Sequence, residues 1–369
     1  MKIAMIGQKG IPSRAGGIEI HVEEIGKRLV QYGCEVEVYC RKGYCNIEEE
    51  NFLGIKIKHA PFIHTKHLDA ITHTFFSTMK ALFSRVDIFH YHALGPSTLA
   101  LIPRLFGKKV VCTVHGLDWQ RGKWGGAATS FLKFGEYASA KFPHATINVS
   151  SNLVKYYKEK YNISTTYIPN GIERQVIIEP NIILKKYSLR KDDYILFLAR
   201  LVPEKGAHYL IEAYKSLNTN KKLVVAGGTS HSDKYVKELY DLAEDNNNII
   251  FTGFVKGKEL AELYSNAYVY VLPSDIEGLP ISLLEAMSYG NCCLVSDIPE
   301  NTSVIESFGY SFIRGDVNDL SNVLSKLIEK KEDVERIKSN VQEYVLLNYS
   351  WEEIANSTLN FYKEIIKKS

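Results

Sequence analysis

Two carboxylates eight positions apart, Glu277 and Glu285, stand in a setting that could do chemistry. Glu277 lies in a loop rich in Gly and Pro, and Glu285 lies a turn or so into an apolar helix predicted to begin near Pro280. A loop that feeds a helix N-terminus presents free backbone N–H groups and a partial positive charge, which favour a phosphate. Acidic side chains beside it accept hydrogen bonds from sugar hydroxyls. The segment therefore predicts a site for a sugar-bearing phosphate, although taken alone it also fits an ordinary loop and helix with a solvated Glu285.

Two cations, Arg200 and Lys205, follow a predicted strand at Tyr194–Leu198. Side chains at the carboxyl end of a parallel strand project into the crevice where ligands bind. Arg grips a diphosphate with two hydrogen bonds, and Lys supplies a compact charge. The pair predicts a diphosphate site, and two solvated surface cations are the alternative.

Short apolar runs rich in β-branched residues alternate with amphipathic helical segments along the whole chain, which predicts a doubly wound α/β fold. The predicted strands are Lys2–Ile6, Glu35–Cys40, Ile55–His59, Ile88–Tyr91, Val110–His115, Ala145–Val149, Thr165–Ile168, Tyr194–Leu198, Lys222–Ala226, Ile249–Thr252, Tyr268–Leu272 and Cys292–Val295. The predicted helices are Ile20–Tyr32, His67–Phe83, Ala128–Lys141, Asn152–Tyr161, Ala207–Ser216, Lys234–Glu244, Leu320–Glu329 and Trp351–Ile366.

The chain of 369 residues is longer than one core usually supports, and a charged segment with Pro180 at 170–193 marks a break. We expect a Rossmann-like domain at 1–172 and a second one at 173–348, facing each other across a cleft. The last segment, 349–369, is expected to be a helix that packs back across the domains.

Net charge is +3, but residues 1–173 hold 22 Lys and Arg against 14 Asp and Glu, and residues 52–160 have an excess of +10. A basic half suits nucleic acid, an anionic membrane surface or an anionic substrate. No RNP, zinc-finger or helix-turn-helix motif is present, which argues against nucleic acid.

No apolar run approaches the roughly 20 residues of a membrane span, and the N-terminus enters a strand directly, so a cytoplasmic protein is expected. The six cysteines lack metal-ligand spacing and are expected to be reduced.

Several motifs in order carry a family resemblance. The frame Ser274–Met287, with seven residues between Glu277 and Glu285, resembles the E-x7-E motif of GT-B glycosyltransferases, family 4 in particular. The same resemblance continues in Phe197–Gly206, Tyr167–Ile172, Ala226–Gly228, Phe251–Val255, Gly16–Glu19 and Gly33–Val38. Order and spacing agree over nearly the whole chain.

The resemblance implies a donor site for a nucleoside-diphosphate sugar in the second half. Arg200 and Lys205 would hold the diphosphate and stabilise it as the leaving group. Glu277 would contact the transferred sugar, Glu285 the ribose hydroxyls, and the loop at 253–255 the nucleobase. The further donor contacts implied are Gly16, Gly17, Gly253, Phe254, Val255, Gly278 and Leu279. Phe254 fits a core position equally well.

His115 follows a predicted strand where the family has a histidine beside the donor sugar and its phosphate. Asp118 is expected to orient His115 or to contact the acceptor. Glu19, His90 and His92 are weaker candidates on the acceptor side.

The implied reaction is transfer of a sugar to an acceptor hydroxyl with retention, by front-face substitution, since no carboxylate is an obvious nucleophile. The sequence has no Asp-x-Asp motif, so no metal or other cofactor is expected.

The string Gly7–Glu19 is similar to a bacterial subgroup with rhamnosyltransferases of capsule and cell-wall polysaccharide assembly, so dTDP-rhamnose and UDP-sugars are both donor candidates. A saccharide, often lipid-linked in such pathways, is the expected acceptor. The segment 59–85 fits either contact with a lipid-linked acceptor at a membrane or a half-buried helix.

Three other functions compete with this interpretation. A nucleotide-sugar epimerase of the same fold and an inactive glycan-binding homologue remain alternatives. A nicotinamide-dependent dehydrogenase would need Gly-x-Gly-x-x-Gly after the first strand, where the chain has Gly7-Gln8-Lys9-Gly10-Ile11-Pro12.

Overall fold

The computed structural model describes residues 1–12, 16–44, 50–65, 68–120, 125–229, 232–244 and 246–367. The chain forms two compact units. The first unit is Met1–Gly171 together with Trp351–Ser369, and the second unit is Ile172–Ser350. Each unit is built around its own largely parallel sheet.

The sheet of the first unit has eight strands in the order β3-β4-β2-β1-β5-β6-β7-β8. All neighbours are parallel except β3 and β4. The strands are β1 (Lys2–Ile6), β2 (Glu35–Arg41), β3 (Asn51–Phe52), β4 (Ile55–Ala60), β5 (Ile88–His92), β6 (Lys109–Val114), β7 (Ala145–Asn148) and β8 (Thr166–Tyr167). The central strands are buried on both faces, which explains their continuous apolar sequences.

Helices cover both faces of this sheet. They are α1 (Gly17–Gln31), α2 (Asp69–Leu82), α3 (Leu94–Ser97), α4 (Leu101–Leu105), α5 (Gly126–Lys141) and α6 (Ser151–Tyr161). The predicted start of α2, His67, lies outside the described residues.

The sheet of the second unit has six parallel strands in the order β11-β10-β9-β12-β13-β14. They are β9 (Tyr194–Leu198), β10 (Lys222–Ala226), β11 (Ile249–Gly253), β12 (Val269–Leu272), β13 (Cys293–Ser296) and β14 (Tyr310–Phe312). Its helices are α7 (Ile182–Tyr187), α8 (Ala207–Lys215), α9 (Asp233–Ala243), α10 (Gly257–Asn266), α11 (Ile281–Ser288), α12 (Pro299–Ile305), α13 (Val317–Glu329) and α14 (Lys331–Asn348). The expected α/β class with two Rossmann-like parallel sheets is confirmed.

Each sheet has a switch point, where the chain turns from building one side of the sheet to building the other. It lies between β1 and β5 in the first unit and between β9 and β12 in the second unit. Ligands of such sheets bind at the carboxyl ends of the strands beside the switch point. The fold therefore selects the loops after these strands as candidate binding regions.

The last helix, α15 (Trp351–Lys367), returns to the first unit. Trp351, Leu359 and Tyr362 join the core formed by β1, β2 and α1. Trp351 packs directly on Gly171, where a side chain of any size would collide with the indole. The helix is thus an integral layer of the first unit.

Among the helices of the described residues, none has both the length and the apolar character needed to cross a bilayer. The five described cysteines are unpaired thiols, and four of them (Cys40, Cys112, Cys292 and Cys293) are buried.

Candidate active site

Lys205 and Glu277 meet in the second unit at its switch point. The Lys205 Nζ atom lies 2.6 Å from Glu277 Oε1, and both side chains are largely buried. Lys205 lies on the connection after β9, and Glu277 lies on the connection after β12. The two predicted side chains therefore face each other from neighbouring strands although they are 72 residues apart in sequence.

A close backbone contact brings the two connections together. Lys205 ends a 3₁₀ turn, Pro203–Lys205, and Gly206 follows it with φ +70°. A Cβ atom at Gly206 would lie 2.0 Å from the carbonyl oxygen of Pro273. The Asp275 N–H also donates to the Glu204 carbonyl at 2.9 Å. Only glycine allows this approach, because it has no Cβ and adopts positive φ readily.

Glu285 lies one helix turn from the same loop, on α11. It accepts a hydrogen bond from the Tyr264 hydroxyl at 3.1 Å, and burial raises its pKa to about 7. Burial raises the pKa of Tyr270 well above its usual value, and the nearby charges of Glu277 and Glu285 add to that shift. The structure thus brings Lys205 into contact with Glu277 and places Glu277 and Glu285 near one tyrosine.

Gly278 and Leu279 lead into the N-terminus of α11, which has no side-chain cap. Pro280 precedes the helix, and its carbonyl accepts from the N–H groups of Leu283 and Leu284. The start of an uncapped helix favours an anion, because its first N–H groups have no partner within the helix.

Arg200 and the loop at 253–255 flank this site in the fold. Arg200 is half-buried just beyond the end of β9, on backbone fixed against β10 by the bond from Leu201 N–H to the Gly228 carbonyl. Phe254 is 61% exposed, so its assignment as a core residue is wrong. Gly253 has φ +69° and turns the chain at the end of β11, and Val255 is buried.

In the first unit, Gly16 and Gly17 begin α1 after β1. A Cβ atom at Gly16 would lie 2.3 Å from a carboxylate oxygen of Glu19. That carboxylate is buried and accepts a hydrogen bond from the Lys9 N–H at 3.0 Å. Glu19 therefore braces the loop after β1, next to the switch point of this sheet.

His115 is half-buried at the carboxyl end of β6, and its Nε2 lies 3.2 Å from Nδ1 of His92. His92, the last residue of β5, is fully buried behind His115. His90 is also fully buried, bonded to Tyr362 and Thr113, and is a core residue rather than an acceptor contact.

Asp118 lies on a 3₁₀ turn, Asp118–Gln120, that a buried carboxylate anchors. Glu136 accepts hydrogen bonds from Trp119 Nε1 on this turn and from Tyr156, Lys160 and Tyr161. The turn that carries Asp118, three residues after His115 in the sequence, is therefore held against α5 through Glu136.

Sequence reasoning missed His21, Tyr264 and Tyr270. His21 on α1 packs its ring against His92 and His115, with ring centres 5.6 Å and 4.9 Å away. Its position two residues after Glu19, near the start of α1, could have indicated a site residue. α1 follows β1, the strand beside the switch point where ligands bind. The two tyrosines had no sequence signal, since tyrosine is common in cores.

Two family profiles match the chain in order. The family described as Glycosyltransferase Family 4 matches residues 15–176, and the family described as Glycosyl transferases group 1 matches residues 181–344. The two matches coincide closely with the first and second units.

Known proteins agree with these matches. An uncharacterised glycosyltransferase of Methanocaldococcus jannaschii is 29% identical over 386 residues, covering 98% of each chain. Sucrose-phosphate synthase of Thermosynechococcus elongatus has the same fold, with a TM-score of 0.86, 21% identity and full coverage of both chains. The Anabaena protein HepE, solved with UDP and glucose, has a TM-score of 0.80 and 17% identity, covering 99% of this chain and 100% of its own.

Proposed function

We propose that this chain is a group 1 glycosyltransferase of the GT-B fold that uses a nucleotide-sugar donor and transfers one sugar with retention to a saccharide hydroxyl. The observation that carries this proposal is the set of Lys205, Glu277 and Glu285 at the switch point of the second sheet. It combines a cation for the diphosphate with two acceptors for sugar hydroxyls.

In this mechanism Lys205, Arg200 and the start of α11 hold the departing diphosphate. Each 1.4 kcal/mol of stabilisation of the leaving group is worth about tenfold in rate. The acceptor hydroxyl attacks the anomeric carbon on the face from which the diphosphate leaves, and its proton passes to the departing phosphate oxygen. Glu277 and His115 are assigned to the transferred sugar, Glu285 to the ribose, and Gly253, Phe254 and Val255 to the nucleobase.

We assign no cofactor to the transfer. Two protein cations and a helix N-terminus supply the positive charge that a divalent ion would bring to a diphosphate. Turnover in EDTA is therefore expected to equal turnover in Mg²⁺ within about twofold, and activity that disappears in EDTA and returns with Mg²⁺ would contradict this assignment.

For the donor we propose dTDP-rhamnose or a UDP-sugar, and for the pathway bacterial surface polysaccharide assembly in the cytoplasm. The support is the similarity of Gly7–Glu19 to the rhamnosyltransferase subgroup. The UDP and glucose bound to HepE favour the uridine alternative.

For the acceptor we propose a lipid-linked saccharide at an anionic membrane surface. The first unit exposes large apolar side chains on α2, α4 and α5, including Phe83 (86% exposed), Leu105 (76%), Phe106 (67%) and Phe134 (49%). These helices lie in the segment with an excess of ten positive charges. Exposed aromatic side chains among cations suit the interface of an anionic leaflet.

The proposal is tested by incubating the protein with nucleotide-sugars and saccharide acceptors. A thermal-shift panel of dTDP, UDP, GDP and ADP and their sugars first selects the donor, because a ligand that binds only the folded state raises the melting temperature. The selected donor is then incubated with and without lipid-linked and free saccharides. A new glycosidic product with retained configuration supports the proposal. Release of an altered sugar from donor alone indicates an epimerase, and no turnover of any stabilising donor indicates a binding homologue.

A further inference from the structure

Three imidazoles converge at the carboxyl edge of the first sheet: His21 from α1, His92 from the end of β5 and His115 from just beyond β6. One nitrogen of each lies within 4.8 Å of one nitrogen of each of the others. His21 and His92 are buried, and His115 is half-buried. We propose that these three histidines form a binding site for a transition-metal ion of the zinc class.

The distances match those of a single bound ion. Imidazoles bound to one tetrahedral zinc ion place their ligating nitrogens about 3.3 Å apart and their ring centres about 5 Å apart. In the structure, His92 Nδ1 and His115 Nε2 are 3.2 Å apart. The three ring-centre distances are 4.9 Å, 5.5 Å and 5.6 Å. The nitrogen distance of one pair and the ring-centre distances of all three pairs therefore agree with one shared ion.

Asn170 fixes the tautomer of His21 so that the Nε2 lone pair of His21 is available to the ion. Nδ1 of His21 lies 3.0 Å from the side-chain oxygen of Asn170, which is buried. An amide oxygen only accepts, so Nδ1 carries the proton and Nε2 carries the lone pair. A histidine that donates its second N–H to an oxygen is the usual arrangement behind a metal ligand, because it fixes the ring and its tautomer.

Nδ1 of His92 faces Nε2 of His115 at 3.2 Å. When each of these rings carries its proton on the other nitrogen, the two facing lone pairs are available to one cation. Nε2 of His92 is buried, has no hydrogen-bond partner among the described residues and lies outside the ligand set.

The neighbouring histidine explains why the site has three members. His90 stacks on His92 at 4.1 Å, but its two nitrogens already bond to Tyr362 and Thr113.

The ligand set selects the ion. Three neutral imidazoles without a carboxylate suit zinc, cobalt, copper or nickel, and they do not suit magnesium or calcium, which need oxygen ligands. His115 is also assigned to the transferred sugar, so a bound ion and the sugar would compete for one imidazole, and the ion is not a requirement of transfer.

The test is a titration of the metal-free full-length protein with Co²⁺, without donor or acceptor, followed by visible absorption. We expect one Co²⁺ per chain with the intense visible bands of a tetrahedral ion, displaced by Zn²⁺, and a higher melting temperature with Zn²⁺. His21→Gln and His92→Gln are expected to weaken binding at least about 100-fold, and Asn170→Ala about 10-fold. His208→Gln, in the second unit, is the matched control and should bind normally.

Two results would overturn the site: no tetrahedral bands at any point of the titration, or bands of equal affinity in the wild type and both glutamine variants. Circular dichroism establishes that each variant is folded, and the half-exposed His115→Gln serves if a buried substitution unfolds the protein. Because this readout needs no turnover, it succeeds or fails independently of the proposed transferase activity.

Discussion

At the scale of single residues, the ion pair between Lys205 and Glu277 holds both side chains in place. In the proposed mechanism a diphosphate competes with Glu277 for the Lys205 ammonium, and a sugar hydroxyl takes up the Glu277 oxygen that the ammonium releases. The pair would thus preorganise the proposed donor site and exchange partners on binding.

We expect Lys205→Ala and Glu277→Gln each to lower kcat by about 100-fold or more. The loss of one preorganised charge at a developing anion commonly costs about 10² to 10³ in rate. Steady-state kinetics with the selected donor measure the effect, and thermal unfolding verifies that both variants are folded.

Lys215→Ala provides the control for these two variants. Lys215 forms an ion pair of 3.1 Å with Glu244 on the surface of the same unit, and it should keep wild-type turnover. Normal rates in Lys205→Ala would remove Lys205 from the mechanism.

Glu285 makes stability depend on pH in a defined direction. Its pKa is about 7 in the folded protein and near 4.5 in the unfolded chain, so between these values the folded state binds the extra proton. Stability therefore falls as pH rises from 4.5 to 7, by at most about 3 kcal/mol. Glu285→Gln removes this dependence.

We expect the free energy of unfolding of Glu285→Gln, relative to wild type, to increase from pH 4.5 to pH 8. Urea unfolding of both proteins at the two pH values measures the difference, in which the other titrating groups cancel. The variant should also lose affinity for the donor nucleotide. An unchanged difference between the two pH values would mean that Glu285 has the same pKa in the folded and the unfolded state.

The sequence predicts which side chains of the second unit act together but not how they are joined. Glu277, Glu285 and Lys205 stand in recognisable motifs, and each motif can be identified from neighbouring residues alone. The ion pair joins Lys205 to Glu277, 72 residues later in the sequence. It depends on how two connections are placed side by side, which a pattern of neighbouring residues does not predict. The cluster of His21, His92 and His115 depends in the same way on three elements converging at one sheet edge.

At the scale of elements, Gly206 sets the distance between the 3₁₀ turn at 203–205 and the loop after β12. We expect Gly206→Ala to destabilise the protein by more than 2 kcal/mol and to lower donor affinity. The Cβ atom would collide with the Pro273 carbonyl, and the positive φ adds about 1 to 2 kcal/mol of strain. Urea unfolding and nucleotide titration measure the two effects.

Gly315→Ala separates strain from collision. Gly315 has φ +75°, but the nearest atom to its Cβ position is 3.8 Å away. This control should lose only the strain energy and keep donor affinity. Equal losses in the two variants would show that the contact with Pro273 has no special role.

Elements were predictable where their pattern was long and regular. The central strands were predicted within one or two residues, because buried parallel strands have continuous apolar sequences. β14 has only three residues, too few for a pattern. α14 was missed because its composition is highly charged, although Val334, Ile337, Val341 and Val345 recur at helical spacing and are buried.

At the scale of the whole molecule, the two units differ in charge and in surface. Residues 1–173 contain an excess of eight positive charges, whereas the remainder contains an excess of five negative charges. The exposed apolar side chains of α2, α4 and α5 lie in the basic unit. Charge and apolar exposure on the same unit predict that the first unit binds anionic interfaces.

We expect the protein to bind vesicles of phosphatidylglycerol and phosphatidylcholine and to leave pure phosphatidylcholine vesicles unbound. The triple variant Phe83→Ser, Leu105→Ser, Phe106→Ser should bind anionic vesicles at least about tenfold more weakly, because each inserted side chain contributes on the order of 1 kcal/mol or more. Flotation at two salt concentrations measures the binding, which should weaken at high salt as the cations are screened.

Leu347→Ser, at a residue of the second unit that is 82% exposed, is the matched control and should bind as the wild type does. Equal binding of the triple variant and the control would assign the apolar side chains to another partner and leave the soluble saccharide as the acceptor to be tried first.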